Sequence, residues 1–594
     1  MKKSVKLALS LMGIAIILIM GACNNEEING GMDTGYVDTN EAKGGVVTYE
    51  GLGMGFNGEI TATVTLESGV ITDIQVDTDG ESEGFRETAT AEIPAKVIAN
   101  QSIAVDAISG ATATSEGIIE AITSALIAAG VNLDDFRREV ASIVTAVEDF
   151  EINVVVVGSG GAGLAAAIEV AEAGNSVVVL ERMPIIGGNT LRATGGMNAA
   201  ETNLQAENDI EDSVELFFED TMNGGHETND PEMVEIMVNY SAEAVHWIND
   251  LGAGLVNVTT SGGQSVLRTH RPADGSPVGP AMIRALDNRL NELGIEIMLN
   301  SEVQDLVITD GIISGAEVLH MSSGETFTVT ADAVILAAGG FGANSEMVEH
   351  YREDLAGYFT TNHEGANGSV IRMAALAGAQ LVDMEEIQIH PTTDRETGYM
   401  FTEALRADGA IIVNNEGVRF VHELDPRDIV ANAILAQPNT DAFLITNGEM
   451  ELNNATLAGY IRNGYGVAGE TLEDLAIAIG VDVAAFVETV EAYRAMVDEG
   501  EDTDFGRVNM GQNFSDGPFH AFSITPSIHH TMGGVRIDAQ ARVLNVNGEI
   551  ISGLYAAGEL VGGIHGANRL GGNALTDIIV FGRIAGQTVA AELR

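Results

Sequence analysis

Residues 152–181 constrain the fold more than any other stretch of this 594-residue chain. Ile152-Asn-Val-Val-Val-Val157 is a short, nearly all-apolar run, which suits a strand buried on both faces of a parallel sheet. It leads into Gly158-Ser-Gly160-Gly161-Ala162-Gly163, then a helical stretch Leu164–Ala173, then a second strand Ser176–Leu180 ending at Glu181. A GxGxxG pattern alone is weak, but between a strand and a helix it is the dinucleotide fingerprint. Gly158 permits the turn. Gly160, with Gly161 and Ala162 opening the helix, lets the backbone approach a pyrophosphate, and Gly163 lets helix pack on strand. Glu181 lies 18 positions past Gly163, a spacing suited to a ribose hydroxyl. The sequence therefore predicts an α/β chain with a Rossmann-like nucleotide-binding domain.

Charge narrows the function. Asp and Glu number 87 against 28 Lys and Arg, a formal net charge of −59. Only Lys2, Lys3, Lys6, Lys43 and Lys96 are lysines, so the body beyond Lys96 holds no P-loop or Schiff-base lysine. A body this negative repels nucleic acid and anionic lipid surfaces. It is 45% hydrophobic, too apolar to be disordered. The single cysteine, Cys23, excludes disulfides, zinc–cysteine sites, iron–sulfur clusters and c-type haem within the chain, and no metal site is assigned.

The N-terminus reads as an export signal. Met1-Lys-Lys is followed by an apolar run, Leu7 to Met20, too short for a spanning helix, and then Gly21-Ala22-Cys23. Cysteine after Gly-Ala resembles a bacterial lipobox. The reading is a signal peptide of lipoprotein type at 1–22, lipidation of Cys23, and a polar, Gly-rich tether at 23–43. It places the mature chain on the outer face of the cell membrane, or free outside the cytoplasm if Cys23 is not modified. Removing 1–22 takes three lysines and no acids, so the mature charge is −62.

Residues 44–131 form a first small unit. Glu59–Leu66 and Val70–Val76 alternate apolar and polar residues around Ser68-Gly69, which predicts a hairpin. Ser115–Ala129 reads as a helix with Ser115 as N-cap. Between them lies Asp106-Ala-Ile-Ser109-Gly110-Ala111-Thr112-Ala-Thr114. On physical grounds such a turn is a helix cap that would also accept an anion. Asp-x-x-Ser-Gly-Ala-Thr resembles the attachment sequence of FMN-binding domains, in which FMN phosphate is linked to the threonine. The resemblance implies covalent FMN on Thr112, with Thr114 as the nearby alternative. A linker at 132–150 follows.

Further loops favour FAD over NAD. Gly187-Gly188-Asn189-Thr190 and Gly195-Gly196-Met-Asn198 resemble flavin-side loops of the fumarate reductase and succinate dehydrogenase flavoprotein family, as do Gly339-Gly340, Gly558-Glu559 and Gly571-Gly572-Asn573-Ala574-Leu575. The chain is similar to the soluble flavocytochrome c type, with the FMN module where that type has haem. The resemblance implies non-covalent FAD held by Gly158, Gly160, Gly161, Ala162, Gly163, Glu181, Gly188, Asn189, Thr190, Gly195, Gly196, Gly339, Gly340, Glu559, Arg569, Ala574 and Leu575. It also implies an FAD domain in two parts, 151–263 and 381–594. An inserted α+β capping or clamp domain would lie at 264–380, where Ser301–Ile308 and Gly324–Val329 are strand-like.

Three stretches carry candidate chemistry: Gln388-Ile-His390-Pro391 with Thr402-Glu403-Ala-Leu-Arg406 and Arg427; His529-His530; and His565-Gly-Ala-Asn568-Arg569. A dianionic substrate needs two donor clusters, and the planar fork of Arg569 suits a carboxylate. The resemblance places His529, Arg569 and Arg427 on one carboxylate and His390, Thr402 and Glu403 towards the other. It gives Arg427 the role of proton donor, fed through Glu403 and Arg406. From residue type alone, Arg427 is a stabiliser of developing charge, since guanidinium is a poor acid. His530 reads as a neighbour of His529, His270 and His565 as local structural or flavin-side residues, and Trp247 as packing. The expected function is an exported fumarate reductase, with hydride from FAD and electrons entering through FMN from an external donor. Reduction of another α,β-unsaturated acid, such as urocanate or an acrylate, and a two-flavin electron carrier are the alternatives.

Overall fold

The computed structural model of the protein describes residues 46–67, 69–137, 147–511 and 513–593. The expected signal peptide, Cys23, the expected tether and linker residues 138–146 lie outside the described residues.

The first unit is a three-stranded antiparallel sheet, Val46–Met54, Glu59–Glu67 and Val70–Asp77, in that order, backed by helices Arg86–Asn100 and Thr112–Ala128. The predicted hairpin is its second and third strands. Glycine lets the first strand lie directly on the second helix: a Cβ at Gly51 would stand 2.2 Å from the Ala125 nitrogen. That helix begins at Thr112, three residues before the predicted N-cap. Ser115 is therefore inside it, and its hydroxyl donates to the Ala111 carbonyl oxygen at 2.8 Å.

The nucleotide-binding domain is built on an eight-stranded sheet. Phe150–Val157 pairs in parallel with Val177–Leu180 on one side and with Glu325–Leu336 on the other. Its last four residues are buried, as the apolar run requires. Helix Gly161–Glu172 packs closely on this strand, because a Cβ at Gly163 would stand 2.0 Å from the Gly158 carbonyl oxygen. The C-terminal helix Asn573–Glu592 lies against it, with Gly582 and Gly586 at the contact.

The inserted domain is not where the sequence places it. Ser301–Thr309, Ile312–His320 and Glu325–Leu336 are strands, but they are hydrogen-bonded into the nucleotide-binding sheet beside Phe150–Val157. Alternating patterns identify strands without naming their partners. The separate unit lies later. Ile387–Asp394, Phe519–Thr531, Ala442–Asn447 and Ile411–Asn414 form a second antiparallel sheet, with Val467–Gly469 on its long strand. Two hydrophobic clusters of its own, centred on Phe486 and Tyr493 and on Phe401 and Phe522, are distinct from the main core. The capping unit thus spans roughly Ile387–Thr531 in place of 264–380.

Candidate active site

The nucleotide-binding domain and the capping unit meet around one cavity. Paired strands Ile387–Asp394 and Phe519–Thr531 bring Gln388, His390, His529 and His530 together, with Gln388 opposite His530 and His390 opposite Ser527. The imidazoles of His390 and His529 stand 5.0 Å apart. Arg427 opens helix Arg427–Leu435, Glu403 precedes the short helix Ala404–Ala407 that carries Arg406, and Arg569 sits in the loop before the C-terminal helix.

A single carboxylate organises these cations. Arg427 donates to Glu403 Oε2 through Nε at 2.8 Å and Nη2 at 2.6 Å. Arg406 Nη2 stands 3.7 Å from Glu403 Oε1, which also accepts from the Gly262 backbone at 3.1 Å. Burial opposes ionisation of Glu403, but Arg427 and Arg406 outweigh it and hold the carboxyl down at about 2. Arg406 is fully buried, and burial lowers its pKa, with Glu403 opposing. Burial, then the charge of Arg427, brings Arg569 down to about 9. Its Nε has no hydrogen-bond partner among the described residues. Three guanidinium groups thus surround Glu403, while Glu559 and Asp577 also act on Arg569 and Glu423 acts on Arg406.

The histidines add donors without charge. Burial first, then nearby arginines, pushes His390 and His529 well below their ordinary value, so both are neutral near pH 7. His529 Nδ1 pairs with the Thr361 hydroxyl at 2.7 Å. His530 is also depressed by burial and packs edge-on against His565, which meets Asp577 at 3.2 Å.

Sequence reasoning missed Gln388 as a site residue. Its Oε1 accepts from Arg427 Nη1 at 3.1 Å and from Arg569 Nη2 at 3.2 Å. Its Nε2 donates to Asn568 Oδ1 at 2.6 Å and to the Arg569 carbonyl oxygen at 2.7 Å. The signal was present, because residues two apart on a strand share a face and Gln388 is two before His390. The loop Thr259–Gly262 was also missed; it lines the cavity, and nothing in its composition marks it.

The same cavity is lined by Gly158, Gly160, Gly161, Ala162, Glu181, Gly188, Asn189, Thr190, Gly195, Gly196, Gly339, Glu559, Ala574 and Leu575. These residues fit FAD. A Cβ at Gly195 or Gly339 would meet nothing within 4 Å, so both backbones face open space. Glu181 is held by Ser159 and Met183, and burial raises its pKa. Four expected residues stand back from the cavity, the buried Arg406 among them. Gly163 packs on Gly158, and Gly340 packs on Thr531 and Glu559. The Thr402 hydroxyl accepts from the Ala404 backbone at 3.4 Å.

In the first unit Thr112 is exposed at the helix start, whereas Thr114 is buried and donates to Glu81 at 2.5 Å. The loop before them abuts the nucleotide-binding domain. The Ser109 hydroxyl donates to Glu364, and a Cβ at Gly110 would stand 2.7 Å from Ile185 Cδ1.

Comparison with known proteins matches the FAD binding domain family to residues 153–575 and the FMN-binding domain family to residues 55–127. An NADH:fumarate oxidoreductase of Klebsiella pneumoniae is 42% identical over 90% of this chain, which spans only 57% of that protein. A fumarate reductase (cytochrome) of Shewanella frigidimarina is 44% identical over 77% of this chain and 80% of its own length. A urocanate reductase of Eggerthella lenta is 35% identical over 92% of this chain and 93% of its own. Among solved structures, the open conformation of a flavocytochrome c3 fumarate reductase superposes with a TM-score of 0.65 at 38% identity, covering 78% of this chain and 84% of that one.

Proposed function

Since the chain belongs to the fumarate reductase-like FAD-dependent oxidoreductases that carry an FMN-binding domain, we propose that it reduces fumarate to succinate. The observation that carries this reading is the cluster of Arg427, Arg569 and Arg406 around Glu403, at a cavity continuous with the FAD-lining loops. A dicarboxylate matches that cationic pocket in sign.

Bound FAD supplies the hydride, and FMN on Thr112 supplies its electrons. The chain's own residues do the rest. Arg569 and Arg427, spaced by Gln388, grip one carboxylate together with His529, and His390 faces the other. Thr402 acts one step back, holding the turn that presents Glu403. The grip polarises the double bond for attack at one carbon. Arg427 gives a proton to the adjacent carbon and is reprotonated through Glu403 from Arg406. Its contacts of 2.6 Å and 2.8 Å with Glu403 support that route. Exposed Thr112 fits the attachment role, and buried Thr114 does not.

Purified protein with reduced viologen dye and fumarate, urocanate or acrylate tests the substrate. Fumarate is expected to turn over fastest. Turnover of urocanate or acrylate without fumarate would overturn the substrate, and dye oxidation with none of the three would overturn the enzyme reading. We also propose export and anchoring through Cys23, supported by Met1-Lys-Lys and the apolar run before Gly21-Ala22. Intact mass of membrane-fraction protein should show a diacylglyceryl Cys23; an unprocessed Met1 terminus would contradict it.

A further inference from the structure

At Arg192, His363 and Gly365 the FAD-lining cavity runs beside the point where Ser109 of the FMN module meets Glu364, a cleft that the proposed chemistry has not used. Arg192 lines it from the nucleotide-binding domain. Its side chain is accessible although protein surrounds it, and it lines the cavity directly. No hydrogen bond or ion pair holds its guanidinium among the described residues; its charge is felt by Glu364 and Tyr399. Glu364 accepts from Ser109, three residues before Thr112. Tyr399 belongs to the capping unit, and its ring stands 6.0 Å from that of Phe56, at the turn of the module's first hairpin. Three separate parts of the fold therefore meet near one unpaired cation and one partly exposed tyrosine ring, itself stacked on Tyr465 at 4.8 Å, with the exposed Thr112 three residues along from Ser109.

Such a place suits a flat aromatic group that becomes anionic. Tyr399, stacked on Tyr465, leaves its exposed part for a further ring contact, and a nearby guanidinium stabilises negative charge more than neutral charge. We propose that the isoalloxazine ring of FMN carried on Thr112 seats in this cleft, in contact with Arg192 and Tyr399. The seat rests on the Thr112 reading above. It makes Arg192 the residue at which the two flavins meet, since one guanidinium borders both sites. With both flavins bound, the exchange it serves would take two electrons and one proton from the anionic reduced FMN and give two electrons and one proton to FAD.

Arg192→Gln, Arg192→Lys and Tyr399→Ala test the seat in the full-length holoprotein. FMN content is read by intact mass, both flavin midpoint potentials by spectroelectrochemical titration, and FMN exposure by fluorescence. Arg192→Gln should make the FMN potential more negative, by about 30 mV for each tenfold loss of preference for the reduced form. Arg192→Lys should restore most of the shift, and Tyr399→Ala should raise FMN fluorescence severalfold. Covalent FMN with an unmoved potential and unchanged fluorescence would overturn the seat alone, as would a shift confined to FAD. Wild-type protein without covalent FMN would overturn the Thr112 reading and the seat with it.

Discussion

Gln388→Leu removes the spacer between Arg427 and Arg569, the two arginines proposed to grip one carboxylate. Gln388 is buried and accepts from Arg427 at 3.1 Å and Arg569 at 3.2 Å. Hydrogen bonds to charged groups contribute about 1.5–3 kcal/mol each, so about 3–6 kcal/mol of interaction is lost. Not all of it reaches the reaction, because the substrate carboxylate can satisfy the freed N–H groups when bound. What remains is misorientation of the two forks. A loss of roughly half of that, about 1.5–3 kcal/mol, is roughly a ten- to hundredfold fall in kcat/KM. Gln388→Glu keeps the shape and adds a competing negative charge, so its defect should fall mainly on KM. Dye-coupled steady-state kinetics with fumarate, beside FAD content, measures both. A kcat/KM within twofold of wild type for Gln388→Leu, at full flavin content, would refute the spacing role.

Glu403→Gln should keep FAD yet lower kcat by about 10²–10⁴-fold, the range for loss of acid–base function; stopped-flow of the reduced enzyme with fumarate reads the step. Thr112→Ala should abolish covalent FMN and retain dye-driven activity, whereas Thr114→Ala should retain FMN, because its hydroxyl is committed to Glu81; denatured-gel fluorescence separates the two. His390, His529 and His530 are depressed by burial in the folded state, so the unfolded chain binds more protons below about pH 6.5. Thermal stability without substrate should be full above that pH and fall as pH drops below it. Fumarate should narrow the loss, because a bound dianion favours the protonated imidazoles; melting curves at pH 8, 7, 6 and 5 with and without fumarate check the sign.

The nucleotide-binding strand and its glycine turn were legible because local signals set them: an apolar run, a fingerprint and a helix in fixed order. The arginines and histidines of the cavity were legible by resemblance, as types at characteristic spacing. What pairs with what was not. Ser301–Thr309 and Glu325–Leu336 carry clear strand patterns, yet only hydrogen-bond partners far along the chain place them beside Phe150–Val157. The first strand of the FMN module, Val46–Met54, was missed, because two glycines, Gly51 and Gly53, and exposed apolar positions blur its alternation. Ser115 looked like a cap, but its hydroxyl turns back onto Ala111 one helical turn away. Gln388 escaped notice because a neutral amide announces no chemistry; its role appears only when two arginines from distant segments share its oxygen.

Arg427 carries the central claim, that one residue both grips the substrate and donates the proton. Wild type and Arg427→Ala should be compared for fumarate-dependent oxidation of reduced viologen, with FAD and FMN quantified in the same samples. The account predicts equal flavin content and fumarate reduction lost to background in the variant. Substantial turnover by Arg427→Ala with both flavins present would contradict it.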